Sequence, residues 1–209
     1  MSRVMARELI AIYADESCLG NGREGENPGG AGALLEYRRA GSDEIVRRDL
    51  WLSERGSTNN RMALRSVTAS LDELGVKGAT FNILFTTDSR YIVDGMTDWV
   101  HGWARRGWTR KSGAIENLGL WADAIAAARA HVVQWQWVRG HNGHAQNEYA
   151  NHLATRAAAD QTQSGGLVPS GFEAWDAAAR ARGAKHAPPS AFLDVANFRP
   201  HAELPEPPE

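Results

Sequence analysis

The chain has 209 residues, 43% of them apolar, which suffices for one domain with a real core and leaves room for an appendage. A formal net charge of −2 excludes binding to nucleic acid through bulk charge, so any such surface has to be a local patch. One cysteine, Cys18, excludes an internal disulfide and suits a reducing cytosol. With no charged-then-apolar leader and no long apolar run, a cytoplasmic protein without a membrane segment is expected.

Residues 8–15, ELIAIYAD, alternate apolar and polar side chains and end in an aspartate, which predicts a strand. After the turn-rich CLGNGREGENPGG, residues 31–39 and 44–52 predict two more strands, and the short links suggest an antiparallel meander. Ser57, Thr58 and Asn59 are good helix caps, and Met62, Leu64, Val67, Leu71 and Leu74 carry an apolar stripe to about Gly75. Residues 80–88, TFNILFTTD, predict a strand that again ends in an aspartate, followed by a short helix, SRYIVDGM. Residues 98–108 and 116–130 read as helices, 132–138 as a strand, and 140–159 as a loop feeding a last helix. Antiparallel strands followed by alternating strands and helices predict an α/β fold: a five-stranded mixed sheet flanked by helices. Seven of the eight prolines lie beyond Asp160, so residues 1–160 are expected to form the domain. Residues 161–209 are then a Pro-rich C-terminal extension, partly disordered, with one short helix near 172–182.

Asp15 and Asp88 carry the chemistry. Residues just past the carboxyl ends of strands line the ligand crevice of an α/β sheet. If the first and fourth strands are parallel neighbours, the two carboxylates face one another and repel unless a cation lies between them. Hard oxygen ligands in that arrangement suit Mg²⁺ or Mn²⁺. The plainer reading makes each a turn residue, with Asp88 capping the helix that follows.

YADESCLGN, STNNRMAL, TTDSRYIVDGM, DWVHGWARRGW, ENLGLW and WVRGHNGHAQNEYANHLA occur in one order over residues 8–160, roughly three quarters of the chain. Together they closely resemble bacterial ribonuclease H of type 1. The resemblance implies a ribonuclease H-like fold and hydrolysis of the RNA strand of an RNA–DNA hybrid, with two divalent ions about 4 Å apart. The family holds its metals with four carboxylates. Asp15 and Asp88 match two of them; the other positions are Ala63 and Asn151, so two carboxylates are missing. Asn151 keeps an oxygen that can coordinate a hard cation, whereas Ala63 removes both charge and ligand atom. Glu16, where the family commonly has glycine, offers a carboxylate. Adjacent strand residues point to opposite faces, so it is expected to point away from the site.

The resemblance also assigns His141 to proton transfer or product release, and Asn59 and Asn60 to reading the 2′-hydroxyls of RNA. Simple N-capping is the plainer role for the two asparagines. Thr58 and Asn117 match positions that hold a phosphate of the DNA strand, and Arg90 one that contacts the hybrid. Trp99, Trp103 and Trp108 with Arg105, Arg106, Arg110 and Lys111 resemble a basic protrusion. There the arginines contact phosphate and the tryptophans mainly pack, with Trp103 kept among the substrate-binding candidates. Trp121, Trp135 and Trp137 are expected in the core. Three readings follow: a monomeric enzyme with a reduced ligand set, a hybrid-binding module without chemistry, or an engineered knockout of an active parent.

Overall fold

A computed structural model describes residues 7–20, 27–110 and 112–208. The strands are β1 (Leu9–Cys18), β2 (Gly29–Arg38), β3 (Ile45–Glu54), β4 (Asn82–Thr87), β5 (Val132–Trp137) and β6 (Val168–Pro169), in the order β5-β4-β1-β2-β3-β6. β1 pairs antiparallel with β2 and parallel with β4, and β5 extends the parallel half. The sheet is therefore mixed, as expected, and has a sixth strand.

β1 runs three residues past Asp15, because β2 stays paired with it as far as Cys18↔Gly29. Its parallel partner stops earlier, at Ala14↔Thr87. β1 thus outlasts β4, and the step between their ends leaves a notch at Asp15.

The two faces of the sheet are covered differently. Ile10, Ile12 and Ala14 face a core built with α1 (Asn59–Gly75) and α4 (Leu118–Arg129), including Leu64, Val67, Phe85 and Trp121. Ala11 and Tyr13 face α5 (Ala145–Asp160). α5 lies directly on β2 because Gly30 and Gly32 have no side chain. A Cβ on Gly32 would stand 2.5 Å from the carbonyl oxygen of Ala150. Gly32 is the register partner of Asp15, so this close approach also brings the start of α5 to the notch.

Between β4 and α4 the chain forms one bent helical run, α2 (Arg90–Asp94), a π-helical turn (Gly95–Trp99) and α3 (Val100–Ala104). In this run Trp99 packs on Tyr91 at a ring-centroid distance of 5.8 Å and Trp103 on Trp121 at 5.6 Å.

The extension is packed over the described residues 161–208 rather than loose. β6 adds to the edge of β3, where Pro169 is tolerated because an edge strand needs fewer donors. Gly171 N–H and Tyr149 O–H both donate to Asp49 Oδ2, at 3.0 and 2.6 Å. Phe172 opens α6 (Phe172–Ala181), 2% exposed, against Tyr149. The chain then reaches the opposite edge. His201 N–H donates to Val133 O at 3.0 Å, Trp135 N–H donates to His201 Nδ1 at 3.1 Å, and Leu204 is buried in the α1/α4 core. The extension therefore covers both sheet edges, which otherwise present unpaired backbone groups.

Phe172→Ala is expected to cost about 3 kcal/mol, the usual loss for an emptied aromatic site, and to lower Tm by roughly 6–12 °C. A thermal melt indistinguishable from the parent would show that the extension does not pack on the domain.

Candidate active site

The notch brings three carboxylates together. Oxygens of Asp15, Glu16 and Asp88 lie within 4.8 Å of one another. Asp15 projects toward α5: Asn147 Nδ2 donates to its Oδ2 at 3.0 Å, and Glu16 N–H to its Oδ1 at 2.7 Å. Asp88 follows β4 and lies against the 139–144 loop. A Cβ on Gly140 would stand 2.0 Å from its Oδ2, so any larger residue there would displace the carboxylate.

Glu16 departs from the expectation that it would point away. Alternation does place it on the face opposite Asp15, which is the α1 face. That face carries Ala14 and Ala63, packed in one cluster. Because the pairing with β4 has already ended at this level, Glu16 reaches the notch from the α1 side, its oxygen within 4.8 Å of those of Asp15 and Asp88. A carboxylate at position 63 would approach from the same side. Ala63 is fully buried.

Burial and mutual repulsion shape the electrostatics. Asp15 is pushed up to about 8, first by burial, then by Asp88 and Glu148, against the hydrogen bonds from Glu16 and Asn147. Glu16 is raised well above the carboxylate range by burial and by Asp15 and Asp88, with a bond from Ser89 opposing. Asp88 is raised by burial and Glu148, while His141 pulls it down. Two buried oxygens, Glu16 Oε2 and Asn147 Oδ1, have no hydrogen-bond partner. Clustered carboxylates with one buried oxygen left unpartnered, beside an unpartnered amide oxygen, fit a hard divalent cation. Asp15, Glu16 and Asp88 are the residues that would hold it.

The remaining candidates are distributed around this centre. His141 sits in the loop beside Asp88 with φ +50°. Asn151 is one turn beyond Asn147 on α5, and its Oδ1 accepts only a long bond from Thr155, at 3.4 Å. Thr58 caps α1, its hydroxyl accepting from Arg61 N–H at 3.3 Å, and Asn59 and Asn60 open the helix half-exposed. Asn59 Oδ1 is buried without a partner. Asn117 precedes α4 in the left-handed conformation and donates to Tyr91 Oη at 3.4 Å. Arg90 stacks over the Trp137 ring at 4.0 Å, and Trp137 Nε1 donates to Asp88 O at 3.0 Å. Arg105, Arg106 and Arg110 are exposed, and Lys111 lies outside the described residues.

Two tryptophans are corrected. Trp103 is not a ligand-facing residue: it is 9% exposed and packs edge-on against Trp121. Trp137 is not core but 37% exposed, because it ends β5 beside the notch. Asn147 and Glu148 were not singled out from sequence. Asn147 stands four residues before Asn151, on the same helix face, and that spacing was the available signal.

A sequence model of the family described as RNase H matches residues 7–159. Ribonuclease H of Erythrobacter litoralis is 44% identical over 71% of this chain and 95% of its own length. That of Pectobacterium carotovorum is 37% identical over 80% of this chain and 99% of its own length. Among solved structures, LC9-RNase H1, a type 1 RNase H with the type 2 active-site motif, is 62% identical. It superposes with a TM-score of 0.89 over 98% of this chain and 97% of its own.

A carboxyl raised in the folded chain keeps a proton that the unfolded chain has already lost. Folding stability contributed by Asp15 therefore falls as pH rises from about 4 to about 8. Without divalent ions, Tm is expected to drop across that window, by at least about 2 °C, or roughly 1 kcal/mol at this size. Saturating MgCl₂ should restore more of it at the alkaline end, and Asp15→Asn should flatten the slope. A slope unchanged in Asp15→Asn would contradict the assignment.

Proposed function

Because the chain belongs to the ribonuclease H family, we propose that it hydrolyses the RNA strand of RNA–DNA hybrids with Mg²⁺ or Mn²⁺ held by Asp15, Glu16 and Asp88. The observation that carries this reading is the buried, unpartnered Glu16 oxygen beside two further carboxylates, on the face where Ala63 offers no ligand. Three carboxylates and one scissile phosphate supply about four negative charges, which two divalent cations balance. Asp15 and Asp88 alone would leave that sum short by one.

Bound ions would ease deprotonation of water and offset charge developing on the phosphate. The protein's own groups supply position. Asn147 fixes the rotamer of Asp15 through its amide N–H. Asn151 supplies a further oxygen from the next turn of α5. His141, beside Asp88, moves a proton or helps the product leave.

Substrate recognition is assigned to the flanks. Asn59 and Asn60 read 2′-hydroxyls, the groups that distinguish RNA from DNA. Thr58 and Asn117 stand at the N-termini of α1 and α4, where backbone N–H groups and the helix dipole favour a phosphate. Arg90 contacts the hybrid near the notch, and Arg105 and Arg106 contact backbone phosphates on the protrusion. The protein is taken to act as a monomer in the cytoplasm. Among the described residues, no helix is long and apolar enough to cross a membrane.

The test is cleavage of a hybrid in Mg²⁺ and in Mn²⁺ by the parent and by Glu16→Gln. Loss of Glu16 is expected to lower the rate by at least about two decades, or roughly 2.7 kcal/mol of barrier. Cleavage unaffected by Glu16→Gln would mean that another group holds the metal. A parent that binds hybrid but cuts it in neither ion would be a binding module. Arg105→Ala with Arg106→Ala should weaken binding and flatten its salt dependence, by about one unit of log–log slope per lost phosphate contact. An unchanged slope would remove the protrusion from the interface.

A further inference from the structure

The domain holds the start of α5 through the Asn147–Asp15 bond at 3.0 Å and the burial of Ala145 beside Tyr13, while the 139–144 loop, which carries Gly140 and His141, has fewer such ties. Within its own neighbourhood, Gly143 N–H donates to Glu148 Oε1 at a long 3.3 Å. His144 caps α5 by accepting Asn147 N–H on Nδ1, at 3.4 Å. The extension adds a second set of contacts to the loop and the helix start. Ala187 N–H donates to Gly143 O at 2.7 Å. Gln146, fully buried, pairs with Ser190 in both directions: Nε2 donates to Ser190 O at 2.9 Å, and Ser190 N–H donates to Oε1 at 3.0 Å. Since His144 Nδ1 is an acceptor, the neutral ring carries its proton on Nε2, which donates to Ser190 Oγ at 3.1 Å.

The extension is itself anchored before it reaches the loop. His186 bonds Asp176 at 2.5 Å and stacks on Trp175 at 5.3 Å with an 11° interplanar angle. Arg180 Nη2 donates to Ala187 O at 2.9 Å. Pro188 and Pro189 then fix the backbone between the anchor and Ser190. Contact with the loop is close: a Cβ on Gly143 would stand 3.2 Å from His186 Cα.

We propose that residues 186–190 of the extension are a strap that positions the His141 loop and the start of α5 for hybrid cleavage, with Ser190 and Gln146 as positioning residues. This rests on the hydrolytic reading of the notch. The strap touches no metal-ligand candidate. It acts through Gly143 and His144, which follow His141 in the loop, and through the helix turn that presents Asn147 to Asp15. The groups assigned to hybrid binding lie on α1, at the start of α2 (Arg90), at the cap of α4 and on the protrusion, and none of them is bonded by the strap. The strap is therefore expected to affect turnover and leave KM alone.

The test uses the full chain with Ser190→Ala, Ser190→Thr and His186→Ala. Ser190→Ala is expected to lower kcat about fivefold, the worth of one ordinary hydrogen bond, with KM unchanged. Ser190→Thr, which keeps the hydroxyl, should recover most of the loss. His186→Ala should lower kcat further, as the anchor of the whole strap. Hydrogen exchange should quicken at the Gly143, Asn147 and Ala187 amides in both damaging variants, while the β1 and β4 amides stay protected. Unchanged kcat together with unchanged exchange would overturn the proposal. So would a loss of activity that merely follows a lower Tm and is not rescued by threonine. A parent that fails to cut any hybrid would overturn the hydrolytic reading and, with it, the catalytic purpose of the strap. Exchange confined to the loop would then still separate a held loop from a free one.

Discussion

Three carboxylates held within 4.8 Å of one another, two of them largely out of water, are the constraint around which this molecule is arranged. Like charges at that distance repel strongly in a medium of low dielectric. Among the described residues, the groups that favour ionisation at the notch are the Asn147 amide, the Ser89 side chain, backbone N–H groups and His141, not a lysine or arginine. The result is a site that prefers to hold protons when empty and is suited to exchange them for a divalent cation. What sets the geometry is the mismatch in strand length. β1 stays paired to β2 for four residues beyond the end of its pairing with β4, so Asp15 and Glu16 stand on a strand held on one side and open on the other.

That openness explains how the chain tolerates Ala63. In an uninterrupted sheet, residues 15 and 16 would serve opposite faces and only one could belong to the site. At the notch both faces drain into one space. A carboxylate can then come from the strand instead of from α1. Ala63 in turn packs with Ala14 and Leu64 and closes the core beneath the site.

Much of this was legible in the residues. The aspartate that follows β4, the cap and apolar stripe of α1, and the buried Trp121 and Trp135 follow from spacing and composition, whereas β1 runs on to Cys18 beyond the expected end at Asp15. The position of Glu16 was misjudged because alternation was applied as if β4 continued beside it; strand lengths are decided by pairing, which one strand's sequence does not report. For Asn147 the spacing to Asn151 is a weak signal, because its partner Asp15 lies 132 positions away in sequence. The packing of the extension was hidden by its proline content. Proline lowers regular structure without preventing anchoring, and here Phe172, His201 and Leu204 do the anchoring. The two-residue β6 is too short to leave a periodic signal of any kind.

The central claim is that Glu16 takes over the ligand position that Ala63 vacates. Crystals soaked in MnCl₂ and measured at the manganese absorption edge test it most directly. The account predicts an anomalous peak roughly 2–2.6 Å, the range for hard cations on oxygen, from carboxylate oxygens of Asp15, Glu16 and Asp88 together. A peak bound by Asp15 and Asp88 with Glu16 turned away would contradict it.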